Sequence, residues 1–254
     1  MTVVETTVPV EEVFASALRG RPCLLLDADG VQGLLPTDVW LGDADPVDEA
    51  FLQLCQGPTV DIGCGPGRMA HALALRGQLV LGIDLVPEAV RLSLGRGVAT
   101  LLRDVFDPVP GEGRWATALL ADGNIGIGGD PVALLTRVRE LLAPTGRVIV
   151  ELASPGTGIT TRHVRLETDL GRSEPFPWTQ VGTDALAALA AAAGLRPVSV
   201  HRFGDRYAGV LEVNRSERPS RVRTTSVPAC AARPWPPGSA CGWGSASASR
   251  SSPA

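Results

Sequence analysis

Short apolar runs alternate with amphipathic stretches through the middle of this chain. Apolar runs bounded by turn residues predict buried strands, and apolar positions that recur every three or four residues predict helices. The predicted strands cover residues 59–62, 79–83, 98–103, 117–121 and 147–152. The predicted helices cover residues 66–76, 87–94 and 131–142, and each opens with a proline, which suits the first helical position. Strands and helices in alternation predict a doubly wound α/β fold with a parallel sheet.

The end of this pattern is different. The stretch "TDALAALAAAAGL" predicts a helix, with Asp184 near its start and Gly194 at its stop. The stretches "LRPVSVHRF" and "RYAGVLEV" follow it and flank "GD", a pair of residues typical of a tight turn between antiparallel strands. We therefore expect a C-terminal antiparallel hairpin at one edge of the parallel sheet.

Both ends of the chain lie outside the alternating pattern. Helices are predicted near residues 10–18 and 47–55, with a loop-rich stretch between them. From residue 215 onward the chain is rich in Ser, Ala, Pro, Arg and Gly, a composition that buries too little apolar surface to order a chain. We expect a lead-in or cap over residues 1–56, a core over 57–214 and a disordered basic tail over 215–254.

Charge and cysteine content exclude several kinds of protein. The net charge is −4; the tail from residue 215 carries six arginines and one glutamate, or +5, so the rest of the chain carries −9. An acidic body does not favour nucleic-acid binding. The five cysteines form no CxxC pair, so no metal site or disulfide framework is predicted. No basic leader or membrane-length apolar run is present, and we expect a cytoplasmic protein with no membrane partner.

The stretch "VDIGCGPGR", residues 60–68, carries the strongest chemical signal. A glycine-rich turn between a strand and a helix lets the backbone approach a ligand closely. The dinucleotide pattern G-x-G-x-x-G would need a glycine at position 68, where Arg68 stands. Asp61, directly before the loop, would repel a pyrophosphate and suits a cationic ligand. Cys64 is interpreted as a small residue that fits the turn, not as a nucleophile.

With its acid and three glycines, this stretch resembles the first motif of the class I S-adenosylmethionine-dependent methyltransferases. The resemblance extends over roughly residues 57–213 and implies a Rossmann-like, seven-stranded sheet with strand order 3-2-1-4-5-7-6. It implies that the cofactor is S-adenosyl-L-methionine. Its methionine portion would be held by Asp61 and by loop residues Gly63, Cys64, Gly65 and Gly67.

Two later acidic residues extend the resemblance. Asp84 ends the second strand of the motif region, where the family binds the ribose hydroxyls, and Leu85 beside it is included in the predicted cofactor site. Asp104 follows the third strand, where the family accepts a hydrogen bond from the adenine amino group, while the backbone N–H of Val105 would meet the ring. The dinucleotide pattern does not require this third acid.

Methyl transfer from a sulfonium is an in-line displacement that needs good alignment more than an acid or a base. If a base is required, the candidates are His163, Asp122 and Glu151. His71 and His201 are interpreted as structural residues. The expected partner is a small-molecule acceptor, with a secondary metabolite as one such class.

Other side chains are candidates for contact with the acceptor. The candidate acceptor contacts are Trp40, Phe176 and Trp178, which would form an apolar wall or simply pin a loop. Arg162, Arg165 and Arg172 would recognise an anionic acceptor or form a solvated surface.

Two other interpretations stay open at this stage. A non-catalytic S-adenosylmethionine-binding regulator or subunit fits the glycine-rich segment around Asn124, where related small-molecule enzymes supply a histidine. A nicotinamide-dependent oxidoreductase fits less well because of Arg68 and Asp104. The acceptor atom and the oligomeric state are not determined by the sequence.

Overall fold

The computed structural model describes residues 7–214. This part of the chain contains thirteen strands. They are β1 (Thr7–Val8), β2 (Leu24–Asp27), β3 (Gly30–Leu34), β4 (Thr59–Ile62), β5 (Val80–Asp84), β6 (Thr100–Leu102), β7 (Trp115–Leu120), β8 (Leu142–Leu152), β9 (Ile159–Thr168), β10 (Gly171–Ser173), β11 (Phe176–Val181), β12 (Leu195–Phe203) and β13 (Arg206–Val213). The predicted tail, 215–254, lies outside the described residues.

The same residues form seven α-helices and two short 3₁₀ helices. The α-helices are α1 (Val10–Leu18), α2 (Thr37–Leu41), α3 (Pro46–Leu52), α4 (Arg68–Leu75), α5 (Pro87–Gly95), α6 (Pro131–Leu141) and α7 (Leu186–Ala192); the 3₁₀ helices are Asn124–Gly129 and Thr183–Ala185. Side-chain hydrogen bonds define where some of these helices begin. For example, Asp130 caps α6 by accepting from the backbone N–H groups of Val132 and Ala133 at 3.0 and 2.9 Å.

The central sheet has seven strands in the order β12-β13-β8-β7-β4-β5-β6. Numbered within this sheet alone and read from β6, the order is 3-2-1-4-5-7-6, as the resemblance implied. Strands β4 to β8 pair in parallel, and β13 pairs antiparallel with both β8 and β12. The predicted α/β fold, with its C-terminal antiparallel hairpin, is confirmed.

Both faces of this sheet are buried, which explains why its strands are almost continuously apolar. Successive side chains of β7 belong to different clusters: Leu119 packs with Phe51 of α3 and Leu73 of α4, whereas Leu120 packs with Leu134 and Leu135 of α6. A fully buried leucine contributes about 2 kcal/mol relative to an exposed one. Helices on both faces therefore stabilise the sheet, and its strand ends remain available for a site.

A second sheet was not predicted. Its strands follow the order β1-β10-β9-β2-β3, and β11 pairs with the other part of β9. No strand or helix was predicted between the fifth strand and the last helix, but this segment forms β9, β10 and β11. The sequence of β9, "ITTRHVRLET", alternates polar positions with the buried residues Val164, Leu166 and Thr168. Its many charged residues mask this period-two pattern, because they occupy the exposed face.

The second sheet joins residues that were assigned to different segments. β2, from the predicted lead-in, pairs antiparallel with β9 from the predicted core, and Leu25 lies opposite Leu166. α1 links this sheet to the central domain, since Phe14 packs on both the Leu166 cluster and the Val86 cluster of α5. The boundaries 1–56, 57–214 and 215–254 stay predictions.

Candidate functional site

A cavity of about 590 Å³ lies at the carboxyl ends of the parallel strands and is closed on its other side by the second sheet and α1. Open α/β sheets bind ligands at this edge. The predicted site residues that line the cavity are Trp40, Gly63, Cys64, Gly65, Asp84, Leu85, Asp104, Val105, Asp122, Phe176 and Trp178. The fold therefore brings most of the predicted cofactor and acceptor residues to one place.

The glycine loop presents bare backbone to this cavity. Gly65 has a φ of +54°, and a Cβ atom added there would meet no atom within 4 Å. At Gly67, with a φ of +88°, an added Cβ would lie 2.5 Å from the Ser93 hydroxyl of α5. Gly65 therefore faces open space, and Gly67 permits close packing behind the loop. Gly67 does not line the cavity.

Asn124 holds the start of the loop in place. Its side-chain amide donates to the backbone carbonyls of Ile62 and Gly63 at 2.9 and 2.8 Å. The backbone N–H groups of Gly63 and Cys64 both donate to the carbonyl of Ile83 at the end of β5, at 2.9 and 3.1 Å. Burial raises the pKa of the Cys64 thiol well above its ordinary value, which agrees with a packing role for this residue.

Asp84 connects β5 to the glycine loop. One carboxylate oxygen accepts from the Gly65 N–H and the other from the Val86 N–H, both at 2.8 Å. Burial raises its pKa, and these two hydrogen bonds act in the opposite direction. Each oxygen still has a free lone pair, so the carboxylate can accept two further hydroxyl hydrogen bonds from the cavity.

Asp104 and Val105 follow β6. Asp104 accepts from the backbone N–H of Phe106 at 2.9 Å, which fixes the turn. The Val105 carbonyl accepts from Arg137 at 2.9 Å, whereas the Val105 N–H has no acceptor within residues 7–214. A carboxylate and a free N–H at this position match the edge of an aminopurine, which offers one donor and one acceptor.

Asp61 lies beneath the loop and does not line the cavity. Its side chain is 2% exposed and accepts from the backbone N–H of Ala70 in α4. Burial, followed by the charges of Asp122 and Asp84, raises its pKa to about 8. Asp61 therefore lies beneath the loop, where it can affect a ligand only electrostatically, and it is not part of the cavity wall.

A partly buried charge network reaches the cavity through Arg68 and Asp122, and sequence reasoning missed most of it. Arg68 pairs with Asp48 and Asp122, while Arg206 pairs with Asp48 at 2.5 Å and with Glu151 at 2.7 Å. The backbone N–H of Asp122 also donates to Glu151 at 2.6 Å.

The network constrains Asp122, whose φ of +52° is unusual for a residue other than glycine. Burial raises the pKa of Asp122, although Arg68 and Arg206 lower it. One feature of the sequence indicated this network. Arg68 stands at the start of a predicted helix, where an arginine is electrostatically unfavourable unless it has an acidic partner.

Two aromatic pairs form the walls. Phe14 of α1 stacks on Trp40 of α2 with ring centroids 5.7 Å apart, and Phe176 meets Trp178 edge to face at 6.5 Å. All four side chains line the cavity. Phe14 was missed because an apolar residue on a helix face is usually only a core contact.

The remaining candidates lie elsewhere. His163 is exposed on β9 and does not line the cavity. His71 is half-buried in α4, and His201 contacts the Ser199 hydroxyl at 2.8 Å in β12. Glu151 lines a smaller adjoining cavity of about 240 Å³, which shares Asp122 and Trp178 with the larger one.

The three arginines of the β9–β10 region have partners within the protein. Arg162 donates to Asp27 at 2.9 Å, Arg165 to the Ser173 carbonyl at 3.2 Å, and Arg172 to Glu167 at 2.6 Å. Within residues 7–214, no group of three His, Cys, Asp or Glu side chains is arranged to hold a metal ion. No helix in the same span is long and apolar enough to cross a membrane.

Comparison with known sequences gives a match that falls on the loop and the strands around it. Residues 60–150 match the family model described as a methyltransferase domain. Ubiquinone biosynthesis O-methyltransferases from two strains of Xylella fastidiosa are 29% identical over an alignment of 102 residues that covers 36% of this chain. The match spans 39% of the length of these curated relatives.

Solved structures share the fold over more of the chain. An S-adenosylmethionine-dependent methyltransferase from Bacteroides fragilis, in complex with S-adenosyl-L-homocysteine, has a TM-score of 0.69 at 20% identity and covers 82% of this chain and 98% of its own. The 1,6-didemethyltoxoflavin-N1-methyltransferase of Burkholderia thailandensis has a TM-score of 0.53 at 21% identity, covering 83% and 93%. At these identities the likeness establishes the fold.

Proposed function

We propose that this chain, a member of the class I S-adenosylmethionine-dependent methyltransferase family, transfers a methyl group from S-adenosylmethionine to a small-molecule acceptor. The family prediction made from the glycine loop is confirmed by the domain match over residues 60–150. The observation that carries the proposed activity is that three residues line one cavity: Gly65 with its open backbone, Asp84 with its carboxylate and Val105 with its unpaired N–H.

These residues fit the proposed cofactor. The loop residues Gly63, Cys64, Gly65 and Gly67 bring backbone close to its methionine portion. Asp84 has acceptor capacity for two ribose hydroxyls, and Leu85 lies beside it as an exposed apolar contact. Asp104 and the Val105 N–H bind the adenine edge. Asp61, whose pKa is raised to about 8 by burial, lies beneath the loop, where a cationic ligand favours its ionised form.

S-adenosylmethionine, when bound, supplies an electrophilic methyl group. The protein contributes alignment and the exclusion of water, which are the main requirements of an in-line transfer. The pairs Phe14–Trp40 and Phe176–Trp178 provide apolar walls that hold the acceptor. The small-molecule acceptor and the cytoplasmic location are parts of this proposal.

Asp122 is the polar group that orients the acceptor. Of the three candidate bases, it alone lines the larger cavity. Its ion pairs with Arg68 and Arg206 stabilise the carboxylate, so it accepts a hydrogen bond from the nucleophile of the acceptor. Glu151 positions Asp122, because the Glu151 carboxylate accepts a hydrogen bond from the Asp122 backbone N–H.

Calorimetry tests the cofactor assignment. We expect S-adenosylhomocysteine to bind one site per chain and NAD to show no binding at the same concentration. Tight binding of NAD without binding of S-adenosylhomocysteine would contradict the proposal. Transfer of label from methyl-labelled S-adenosylmethionine to a panel of small acceptors then tests turnover. Cofactor binding with no transfer across a broad panel would favour a non-catalytic binding protein.

A further inference from the structure

Arg103 is a cation on the cavity wall that the proposed function does not use. It follows β6, next to Asp104, and its backbone N–H donates to the Asp84 carbonyl at 2.9 Å. Arg103 lines the cavity, and its Nε is buried without a hydrogen-bond partner within residues 7–214, as is the Nε of Arg68. A buried donor that lacks an acceptor is costly, so its presence indicates a ligand that supplies one.

The neighbouring acids do not neutralise this guanidinium. The carboxylates of Asp84 and Asp104 accept from backbone N–H groups, and Asp122 is paired with Arg68. Glu11 also lines the cavity, but it is exposed and makes no ion pair with Arg103. Arg68, the other arginine on this wall, already has two carboxylate partners. Arg103 therefore remains available to an anion.

The other residues of the cavity wall favour a ligand of a particular shape. The stacked rings of Phe14 and Trp40 are only 8° from parallel, and Phe176 and Trp178 meet at 90°. Val164 and Leu166 of β9 add aliphatic contacts to the same cavity. Aromatic faces and edges of this kind stack well on planar rings, and they provide few hydrogen-bonding groups for a polar ligand such as a sugar.

We infer that the acceptor is a flat, largely apolar ring compound that carries an anionic group, such as a carboxylate, and that this group pairs with Arg103. The inference rests on the proposed function. Arg103 adjoins the residues assigned to adenosine, which is uncharged, while the donor's own carboxylate belongs at the glycine loop. The anion is therefore supplied by the acceptor. Arg103 is a specificity-determining residue, since a planar guanidinium binds a carboxylate through two parallel hydrogen bonds.

Binding of two matched probes tests this inference. Calorimetry on the full chain, saturated with S-adenosylhomocysteine, compares 2-naphthoate with 2-naphthamide, which has the same ring and no charge. We expect naphthoate to bind at least about tenfold more tightly, because a hydrogen bond to a charged group discriminates by that order. Arg103→Gln should remove the preference, Arg103→Lys should retain part of it, and Trp40→Ala should weaken both probes.

Arg114→Gln is the matched control, since Arg114 is exposed and does not line the cavity. Equal affinity of the two probes for the wild-type chain would overturn the inference without any variant. It would also be overturned if Arg103→Gln kept the preference but weakened S-adenosylhomocysteine, because Arg103 would then contact the donor. If S-adenosylhomocysteine binds and the probes are not discriminated, only this inference fails. If S-adenosylhomocysteine does not bind, the proposed function fails.

Discussion

One terminal nitrogen of Arg68 donates to both carboxylate oxygens of Asp122, at 2.8 and 2.7 Å. The two residues stand 54 positions apart in the sequence. This contact joins the first residue of α4, directly after the glycine loop, to the second residue after the end of β7. It therefore fixes the glycine loop and the Asp122 carboxylate relative to each other at the edge of the cavity.

Replacing Arg68 with methionine should strongly destabilise the protein. The side chains of Arg68 and Asp48 are 3% and 1% exposed, so the variant leaves a buried carboxylate without one of its partners. We expect the free energy of unfolding to fall by about 3 kcal/mol, the usual cost of breaking a buried ion pair from one side. Chemical denaturation measures this change.

Arg76→Met is the matched control for that variant. Arg76 is the C-cap residue of the same helix and pairs with Glu49, but both side chains are partly exposed. Its loss should cost less than about 1 kcal/mol. Similar costs for the two variants would show that burial of the network does not determine its contribution.

Asp84→Asn should weaken binding of S-adenosylhomocysteine at least about tenfold, since a hydrogen bond to a charged group contributes about 1.5–3 kcal/mol. The amide keeps one acceptor oxygen but must turn a donor toward Gly65 or Val86, whose N–H groups the carboxylate now accepts. Calorimetry provides the measurement, with Asp107→Asn, an exposed position, as the control. Unchanged affinity would remove Asp84 from the cofactor site.

Gly65→Ala and Gly77→Ala form a matched pair. Both glycines have positive φ values, +54° and +75°, and an added Cβ would meet nothing within 4 Å at either position. Each variant should lose about 1–2 kcal/mol of stability from backbone strain. Only Gly65 faces the cavity, so only Gly65→Ala should also weaken S-adenosylhomocysteine binding. Equal affinities for the two variants would show that the loop backbone does not approach the ligand.

Asp61 should make stability depend on pH. Its pKa in the folded protein is about 8, against an ordinary value of 3.8, with burial as the main cause. Between these two values the folded state binds more protons than the unfolded state, so the contribution of Asp61 to stability is lost as pH rises toward 8.

Asp61→Asn cannot ionise and should lack this dependence. Its stability relative to the wild type should increase from about pH 5 to about pH 8, by up to about 1.4 kcal/mol per pH unit. Denaturation curves across that range measure the difference. A difference that stays constant with pH would show that Asp61 is ionised in the folded protein throughout.

The sequence by itself determined the central sheet and the position of its ligand edge. Strand β4 begins and ends where it was predicted, at Thr59 and Ile62, and α1 likewise matches its predicted range. Apolar periodicity and turn residues act locally, so they can be interpreted one segment at a time. The glycines and the acids Asp84 and Asp104 were identifiable for the same reason, because each lies at the end of a strand or shortly after it.

Only the tertiary structure decided what encloses the cavity and what its charges do. The pairing of β2 with β9 joins segments about 140 residues apart, and no local pattern encodes such a partner. In the same way, Asp122 and Glu151 resemble free catalytic acids in the sequence, yet Arg68 and Arg206 pair with them. Arg103, by contrast, forms no ion pair with an acid among residues 7–214. Charge pairing depends on distances in space, and the fold alone sets those distances.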